Sequence, residues 1–417
     1  MWEARLALLR YRPRVIAITG SVGKTSTKDA IAAALAPSFS VRKSEKSYNS
    51  DFGVPLTILG LKGAGGSAVL WIKNIILGVW RIFSAQNEPK WLVVEVGAGK
   101  PGDIRRFGRL LSPDIAVITR FAEVPVHLEF FASPEALVEE KTELARAVKQ
   151  GGTLVLGSDD TRVHALKDIL FGQKIVQYGQ RADAEVRASD YAVQYEREVP
   201  VGMRFLVSVG TRSFQMALTG VLGAHFMQPV LAAFSVAEAL GLNLEQVQGA
   251  LQNIQFPPGR MRLIAGLNHS LVIDDSYNSS PVAVEEALAT LAPLKTAGQK
   301  IAVLGTMAEL GHASADAHRQ AGRLAARAAT RLVVVGDFRD EIQRGAEEAG
   351  MKREQIQAFR ESREAALALP KMVRQGDIVL VKGSQSARME RVVKALLQEP
   401  SRAAELLVRQ EREWQKS

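Results

Sequence analysis

Short apolar runs and glycine-rich breaks alternate along the chain, and their spacing predicts its elements. After Arg14 the run VIAIT is short and β-branched, GSVGKTS interrupts it, and TKDAIAAAL then reads as an Ala-rich helix. Residues 14–35 are therefore expected to form a strand, a glycine loop and a helix. Apolar runs at 91–94, 115–119 and 153–156 alternate with helical stretches such as 134–148, the rhythm of a parallel sheet covered by helices. Between 174 and 218 the pattern shifts to short alternating stretches, MRFLVSV among them, which predict a small antiparallel extension at the sheet edge.

A helical run at 226–240 leads into FPPGRM at 256–261, where two prolines and a glycine interrupt regular structure and suit a hinge. Beyond it, strand candidates at 271–273, 301–304, 332–335 and 378–381 alternate with helical runs at 282–291, 315–329 and 339–350. The α/β pattern thus divides into a larger domain at 1–257 and a smaller Rossmann-like domain at 258–417. Residues 401–417 read as a charged helix or a frayed tail.

One segment breaks this rhythm. Within an insertion at 63–90, SAVLWIKNIILGVWRIFSA is apolar except for Lys73, Asn74, Gly78, Arg81 and Ser84, which fall near one helical stripe. Its charges and its length of under 20 residues argue against a membrane span. Two readings stay open: a helix packed on the domain or on a partner, and an interfacial helix at 67–85 with Trp71, Trp80, Lys73 and Arg81 near lipid headgroups.

Composition narrows the chemistry. The 417 residues are 47% hydrophobic and 23% charged, enough apolar surface for folded domains. The absence of Cys excludes disulfides, thiolate metal sites and cysteine nucleophiles, and the six His leave little for a His-rich centre, so any metal must rest largely on oxygens. The excess of 53 Lys and Arg over 44 Asp and Glu gives +9, which favours anionic ligands or surfaces. These cations are spread along the chain without a zinc-finger, RNA-recognition or basic-zipper pattern, so phosphorylated small molecules are expected rather than nucleic acid. The opening MWEARLALLRYRPR, with Glu3 and four Arg, does not read as a signal peptide, and a cytoplasmic location is expected.

In TGSVGKTS, Gly20 and Gly23 let the backbone turn so that the N–H groups of residues such as Ser21, Val22 and Ser26 can point at phosphate oxygens. Lys24 supplies a compact positive charge and Thr25 a hydroxyl suited to Mg²⁺. The usual nucleotide loop has a glycine where Ile18 stands, so this is a shortened variant. Glu95 ends an apolar strand, where a carboxylate needs a cation or hydrogen bonds to offset its burial, and a metal role is expected for it. His127 taken alone reads as readily as a structural histidine, and Lys141 as a solvated helical lysine.

The order of motifs resembles the Mur ligases, ATP-dependent amide-bond formers of peptidoglycan precursor synthesis. The resemblance runs over about 14–395 and rests on ITGSVGKTSTKD, YNSDFGVPLTIL, VVEVGAGKPGDI, VHLEFFASPEALVEEKTEL, PPGRM, IDDSYNSSP, GTMAELG and VKGS in that order. It implies that Lys24 and Thr25 take the triphosphate of ATP and a first Mg²⁺, that Glu95 and His127 reach metal, and that Lys141 is carried as a carbamate holding a second Mg²⁺. Asn49 takes a supporting role. Arg260, Asp275, Tyr277 and Asn278 close over the nucleotide from the second domain, and Lys382 and Ser384 lie in a loop near the incoming substrate, with Glu309 and His318 shaping that side. The implied reaction activates a muramyl-peptide carboxylate as an acyl phosphate and joins it to an amine such as D-Ala-D-Ala.

The chain also departs from the family pattern. Only residues 1–13 precede the first strand, so a nucleotide-sugar-binding domain is not expected there, and a partner chain or a lipid-linked acid at the membrane surface are the alternatives. In GAHFMQPVLAA, Phe226 and Pro229 stand where the family has asparagines, so the adenine contact must differ or come from elsewhere. The stretch from Thr119 to His127 is longer than usual, and the apolar 67–85 segment is extra. Competing readings are a folylpolyglutamate- or cyanophycin-type ligase and a non-catalytic nucleotide-binding scaffold.

Overall fold

The computed structural model describes the chain apart from residues 45–47, 66, 85–87, 122–130, 171, 412–413 and 415–417. Its first sheet has nine strands: β1 (Arg14–Thr19), β2 (Val41–Lys43), β3 (Trp91–Glu95), β4 (Ile115–Ile118), β5 (Thr153–Gly157), β6 (Lys174–Gly179), β7 (Val186–Glu196), β8 (Val199–Val209) and β9 (Arg212–Thr219). The order is β2-β3-β1-β4-β5-β6-β7-β8-β9. β1 pairs in parallel with both β3 and β4, so the chain reverses its direction of travel across the sheet there, and the turn after β1 opens into a crevice. β6 is parallel to β5, with Thr153 opposite Lys174, so only β7–β9 form the antiparallel extension expected for the whole 174–218 stretch. β6 lies inside the sheet between β5 and β7, and a strand this short shows no period that separates parallel from antiparallel pairing.

Among the described residues the helices that accompany this sheet are α1 (Trp2–Tyr11), α2 (Lys24–Leu35), α3 (Gly53–Leu59), α4 (Ala68–Phe83), α5 (Asp103–Leu111), α6 (Pro134–Arg146), the single-turn α7 (Thr161–His164) and α8 (Met227–Ala239); α9 (Leu244–Gln252) follows. β1 is buried on both faces, which is why its sequence is a continuous apolar run. Ile16 and Ile18 pack with Ile31 and Leu35 of α2 and Leu231 of α8, while Val15 and Ala17 face α3, α5 and α6 through Val54, Phe107 and Leu144. Each such Val, Ile, Leu or Phe side chain stabilises the fold by about 1.5–3 kcal/mol. α4 buries only Gly78 and Ile82.

The second sheet has six strands: β10 (Arg262–Ala265), β11 (Leu271–Asp275), β12 (Lys300–Gly305), β13 (Arg331–Val335), β14 (Ile356–Phe359) and β15 (Ile378–Lys382), in the order β10-β11-β15-β12-β13-β14. All but β10 run parallel. α10 (Pro281–Leu291) and α11 (Ser314–Ala328) are among its covering helices. Among the described residues no helix is long and apolar enough to cross a membrane.

Candidate active site

The carboxyl ends of both sheets open onto one cleft of about 740 Å³. Its first wall is built on the turn after β1. Gly20 has φ 145°, and a Cβ there would sit 2.0 Å from the Thr119 hydroxyl at the end of β4; Gly23, at φ 83°, is the cap residue of α2. A side chain at Gly20 would push the turn off its neighbouring strand, and one at Gly23 would strain a left-handed backbone. Residues 21–26 line the cleft, at the positive end of α2.

The side chains on this wall are already drawn together. The Lys24 ammonium donates to Gly20 O at 2.8 Å. Thr25 donates its hydroxyl to one Glu95 oxygen at 2.9 Å, and Asn49 Nδ2 donates to the other at 3.2 Å. Glu95 is 2% exposed at the end of β3. From the opposite side α6 brings Lys141, whose Nζ donates to the Ser21 hydroxyl at 2.8 Å. α6 is fixed in turn by Glu140, which accepts from Gly102 N at 2.9 Å and Ile104 N at 2.7 Å around the start of α5. Burial, then the nearby Lys24 and Arg162 charges, pull Lys141 down to about 7. Burial also lowers Lys24, with Glu95 opposing that shift. His127 lies outside the described residues.

The second wall comes from β10–β11 and β15. Arg260 stacks on the Tyr277 ring at 4.4 Å, and its Nε is buried without a hydrogen-bond partner among the described residues. Asp275 and Lys382 are opposite one another in the β11–β15 register and form an ion pair; Lys382 also donates to Asn278 O at 3.1 Å. Lys382 therefore ends a strand rather than occupying a loop. Asn49, Arg260, Asp275, Tyr277, Asn278 and Lys382 all reach the cleft wall.

Ser384, Glu309 and His318 are not among the residues that line the cleft. Ser384 is buried and donates its N–H to Thr306 O at 3.0 Å. Glu309 is exposed with φ 64°. His318 Nε2 accepts from Met307 N at 2.8 Å, its Nδ1 lies 2.6 Å from Ser314 O, and its ring stacks on Phe338. It props the MAELG loop from inside.

Two further groups at the site escaped the sequence. Arg409, 6% exposed at its side chain, donates to Ser276 O at 3.1 Å and to Glu390 at 3.2 Å, so the region expected to be a charged helix or frayed tail braces the second wall. In the altered GAHFMQPVLAA stretch Phe226 is buried against Phe256, while Gln228 reaches the cleft and donates to Asp159 at 2.6 Å. The replaced asparagines were the only signal for that pair.

Comparison with known proteins decides the family. The Mur ligase middle domain matches residues 74–237, and the glutamate ligase domain of Mur ligases matches 259–385. UDP-N-acetylmuramoyl-tripeptide–D-alanyl-D-alanine ligase of Mycobacterium tuberculosis (strain CDC 1551 / Oshkosh) is 33% identical over 404 residues, spanning 92% of this chain and 72% of the relative. The chain belongs to the Mur ligase family. As a Mur ligase it is an ATP-dependent ligase of an acid and an amine. Similar solved structures include MurF from Acinetobacter baumannii, with TM-score 0.78 and 25% identity over 95% of this chain and 79% of that one. MurF from Thermotoga maritima in complex with ADP has TM-score 0.76 and 26% identity over 94% of this chain and 81% of that one.

Proposed function

We propose that this Mur ligase activates the free carboxylate of a muramyl tripeptide with ATP and joins it to D-alanyl-D-alanine. The carboxylate oxygen attacks the γ-phosphorus and ADP leaves; the dipeptide amine then attacks the acyl carbon, phosphate leaves, and the amine gives up its proton. The observation that carries this reading is convergence: Lys24 and Thr25, Glu95, and Lys141, from three separate segments, meet at one glycine turn, and Arg260 and Asp275 face the same cleft from the second sheet.

The donors suit magnesium. Glu95 offers a buried carboxylate and Thr25 a hydroxyl beside a phosphate cradle, the oxygen set of a cation that keeps waters and substrate phosphates rather than a closed protein cage. Thr25, Glu95, His127 and a carbamylated Lys141 would hold a pair of Mg²⁺ ions, which when bound neutralise charge on the transferred phosphoryl group. Lys141 as an ammonium is no ligand. Lowered to about 7, it carries a large neutral fraction near neutral pH, and the neutral amine adds CO₂: an N–C bond forms, a proton leaves, and an anion replaces the cation.

Lys24 would hold the β- and γ-phosphates, while Ser21, Val22, Gly23 and Ser26 surround them with backbone donors. Gln228 and Asp159 pair an amide with a carboxylate at the cleft wall, a donor and acceptor set suited to adenine in place of the family's asparagines. Arg260, Tyr277 and Asn278 would cover the nucleotide as the second domain closes about 256–261, where Gly259 and Met261 take positive φ. Closure excludes water that would hydrolyse the activated acid. Lys382, Ser384 and Glu309 would lie on the amine side.

Incubating the full chain with ATP, Mg²⁺, UDP-muramyl tripeptide and D-Ala-D-Ala tests this. A product heavier than the acid by one dipeptide less water is expected, with phosphate release requiring acid and amine together; phosphate release indifferent to both refutes it. The exposed apolar side of α4 favours a second reading, a lipid-linked acid, which the same assay distinguishes by using that acid instead.

A further inference from the structure

Helix α4 is mounted with its polarity reversed. Trp71, Asn74, Gly78 and Arg81 recur at helical spacing and turn toward the protein. The Trp71 indole donates to Gly65 O at 3.1 Å, Asn74 Nδ2 to Lys62 O at 2.8 Å, and the Arg81 guanidinium to Gly60 O at 2.7 Å. At Gly78 the buried Glu3 carboxylate of α1 comes against the helix, and a Cβ there would lie 2.3 Å from Glu3 Oε2. The Tyr11 hydroxyl donates to Ile82 O at 2.8 Å, tying α1 to α4 a second time.

The opposite face of α4 carries Ile72, Ile76, Trp80 and Phe83, with Trp80 60% and Phe83 70% exposed. Its neighbour α1 exposes Trp2 and Leu9. Of the sixteen exposed large apolar side chains among the described residues, ten lie on these two helices, so the patch is local rather than the scatter a soluble surface carries. An amphipathic helix ordinarily turns this face to the core.

We propose that α1 and α4 together seat this enzyme on the surface of an anionic lipid bilayer. The exposed charged side chains of the two helices are Arg5, Arg10 and Lys73, all cationic, while the one acid, Glu3, is buried. From residue 52 to 87 the sequence contains no Asp or Glu. An apolar face with a basic rim and an interfacial Trp matches the boundary between acyl chains and negative headgroups. The same charges disfavour a second copy as the occupant, because a twofold contact would set Arg5, Arg10 and Lys73 against their equivalents. At 16 residues, roughly 24 Å of helix, α4 lies along the interface. This inference stands apart from the substrate assignment.

Vesicle co-sedimentation of the full chain tests it. The protein is expected to pellet with phosphatidylcholine vesicles containing phosphatidylglycerol, with at least about ten-fold weaker partition to pure phosphatidylcholine or in high salt. The double variant I72D/I76D, on solvent-facing positions, should lower partition at least about ten-fold with the thermal midpoint unchanged. Arg10→Glu with Lys73→Glu should remove only the preference for anionic lipid. Failure to bind either vesicle overturns the proposal, as does concentration-dependent dimerisation in sedimentation velocity that I72D/I76D abolishes.

Discussion

The two walls of the cleft handle buried charge in opposite ways. On the first, Lys24 and Lys141 donate to neutral oxygens, the Gly20 carbonyl and the Ser21 hydroxyl, while Glu95 is shared between neutral donors on Thr25 and Asn49. On the second, Asp275 is paired with Lys382 and Arg409 with Glu390. Charges that bond neutral partners keep their fields for a ligand, whereas charges that bond each other hold the wall in shape. Removing Lys24 from the first wall should therefore reduce turnover, and splitting the Asp275–Lys382 pair of the second should reduce stability.

The sharpest test is Lys24→Ala. Removing a cation aimed at the transferring phosphoryl group should lower kcat about 10³-fold. The unfolding midpoint should stay near that of the wild type, because the lost partners are carbonyl oxygens that water can serve. Steady-state phosphate release and a denaturant titration read the two quantities, and a large loss of stability with turnover intact would break the comparison.

The second wall predicts the reverse. Asp275→Ala leaves Lys382, 2% exposed, without its counter-charge, and should cost about 3 kcal/mol in urea unfolding. Replacing both at once, Asp275→Leu with Lys382→Met, should recover much of that stability while still impairing turnover. Were the double variant as unstable as the single one, the pair would not be the source of the loss.

Next to this pair, Asp274 gives a pH-dependent test. It is fully buried, one oxygen accepts from Ser276 N at 3.1 Å, and the other has no partner among the described residues. Burial, with the adjacent Asp275 charge, pushes it from its ordinary 3.8 up to about 6. The unfolded chain thus ionises first, and this group costs stability progressively from about pH 4 to pH 6, reaching about 3 kcal/mol above that window. Asp274→Asn should remove the slope, so that the variant's melting temperature gains on the wild type as pH rises from 4 to 7. Parallel curves across that range would show that Asp274 ionises normally.

The walls also differ in how far the sequence exposes them. The first is local: strand, glycine turn, lysine and helix are contiguous from Arg14 to Leu35, and the spacing itself demands a phosphate-sized cradle. Glu95 stands out as a carboxylate closing an apolar run. Lys141 does not, because its burial against Ser21 depends on α6 crossing the sheet and being held by Glu140, a contact made over 120 residues; only the family resemblance pointed to it. On the second wall Arg409 sits in a charged C-terminal stretch whose partners, Ser276 and Glu390, are fixed by tertiary packing alone. α1 went unpredicted for a related reason: the face it packs against α3 and α4 carries Glu3, Ala4 and Ala7, and its larger apolar residues Trp2, Leu6 and Leu9 point the other way. α4 was legible as an amphipathic helix, but which face turns inward is set by the carbonyls of Leu59, Gly60, Lys62 and Gly65 beneath it.

The smallest expected effect joins the two walls. Arg120 follows β4, its carbonyl accepts Ser21 N at 2.6 Å, and its guanidinium donates to Glu286 of α10 at 2.8 Å across the cleft edge. Both partners are partly exposed, with side-chain accessibilities of 48% and 23%, so water and salt weaken the pair to at most about 1 kcal/mol. That is enough to bias how the domains sit without touching the chemistry. Glu286→Ala and Arg120→Ala should each change KM for the acid by no more than about five-fold, leave kcat nearly constant, and couple by under about 1 kcal/mol in a double-mutant cycle. The difference should vanish at about 0.5 M salt, where exposed pairs are screened. If Arg120→Ala alone instead lowers kcat ten-fold or more while Glu286→Ala does not, the guanidinium acts on substrate, and Arg120 joins Lys24 and Lys141 among the cations of the first wall.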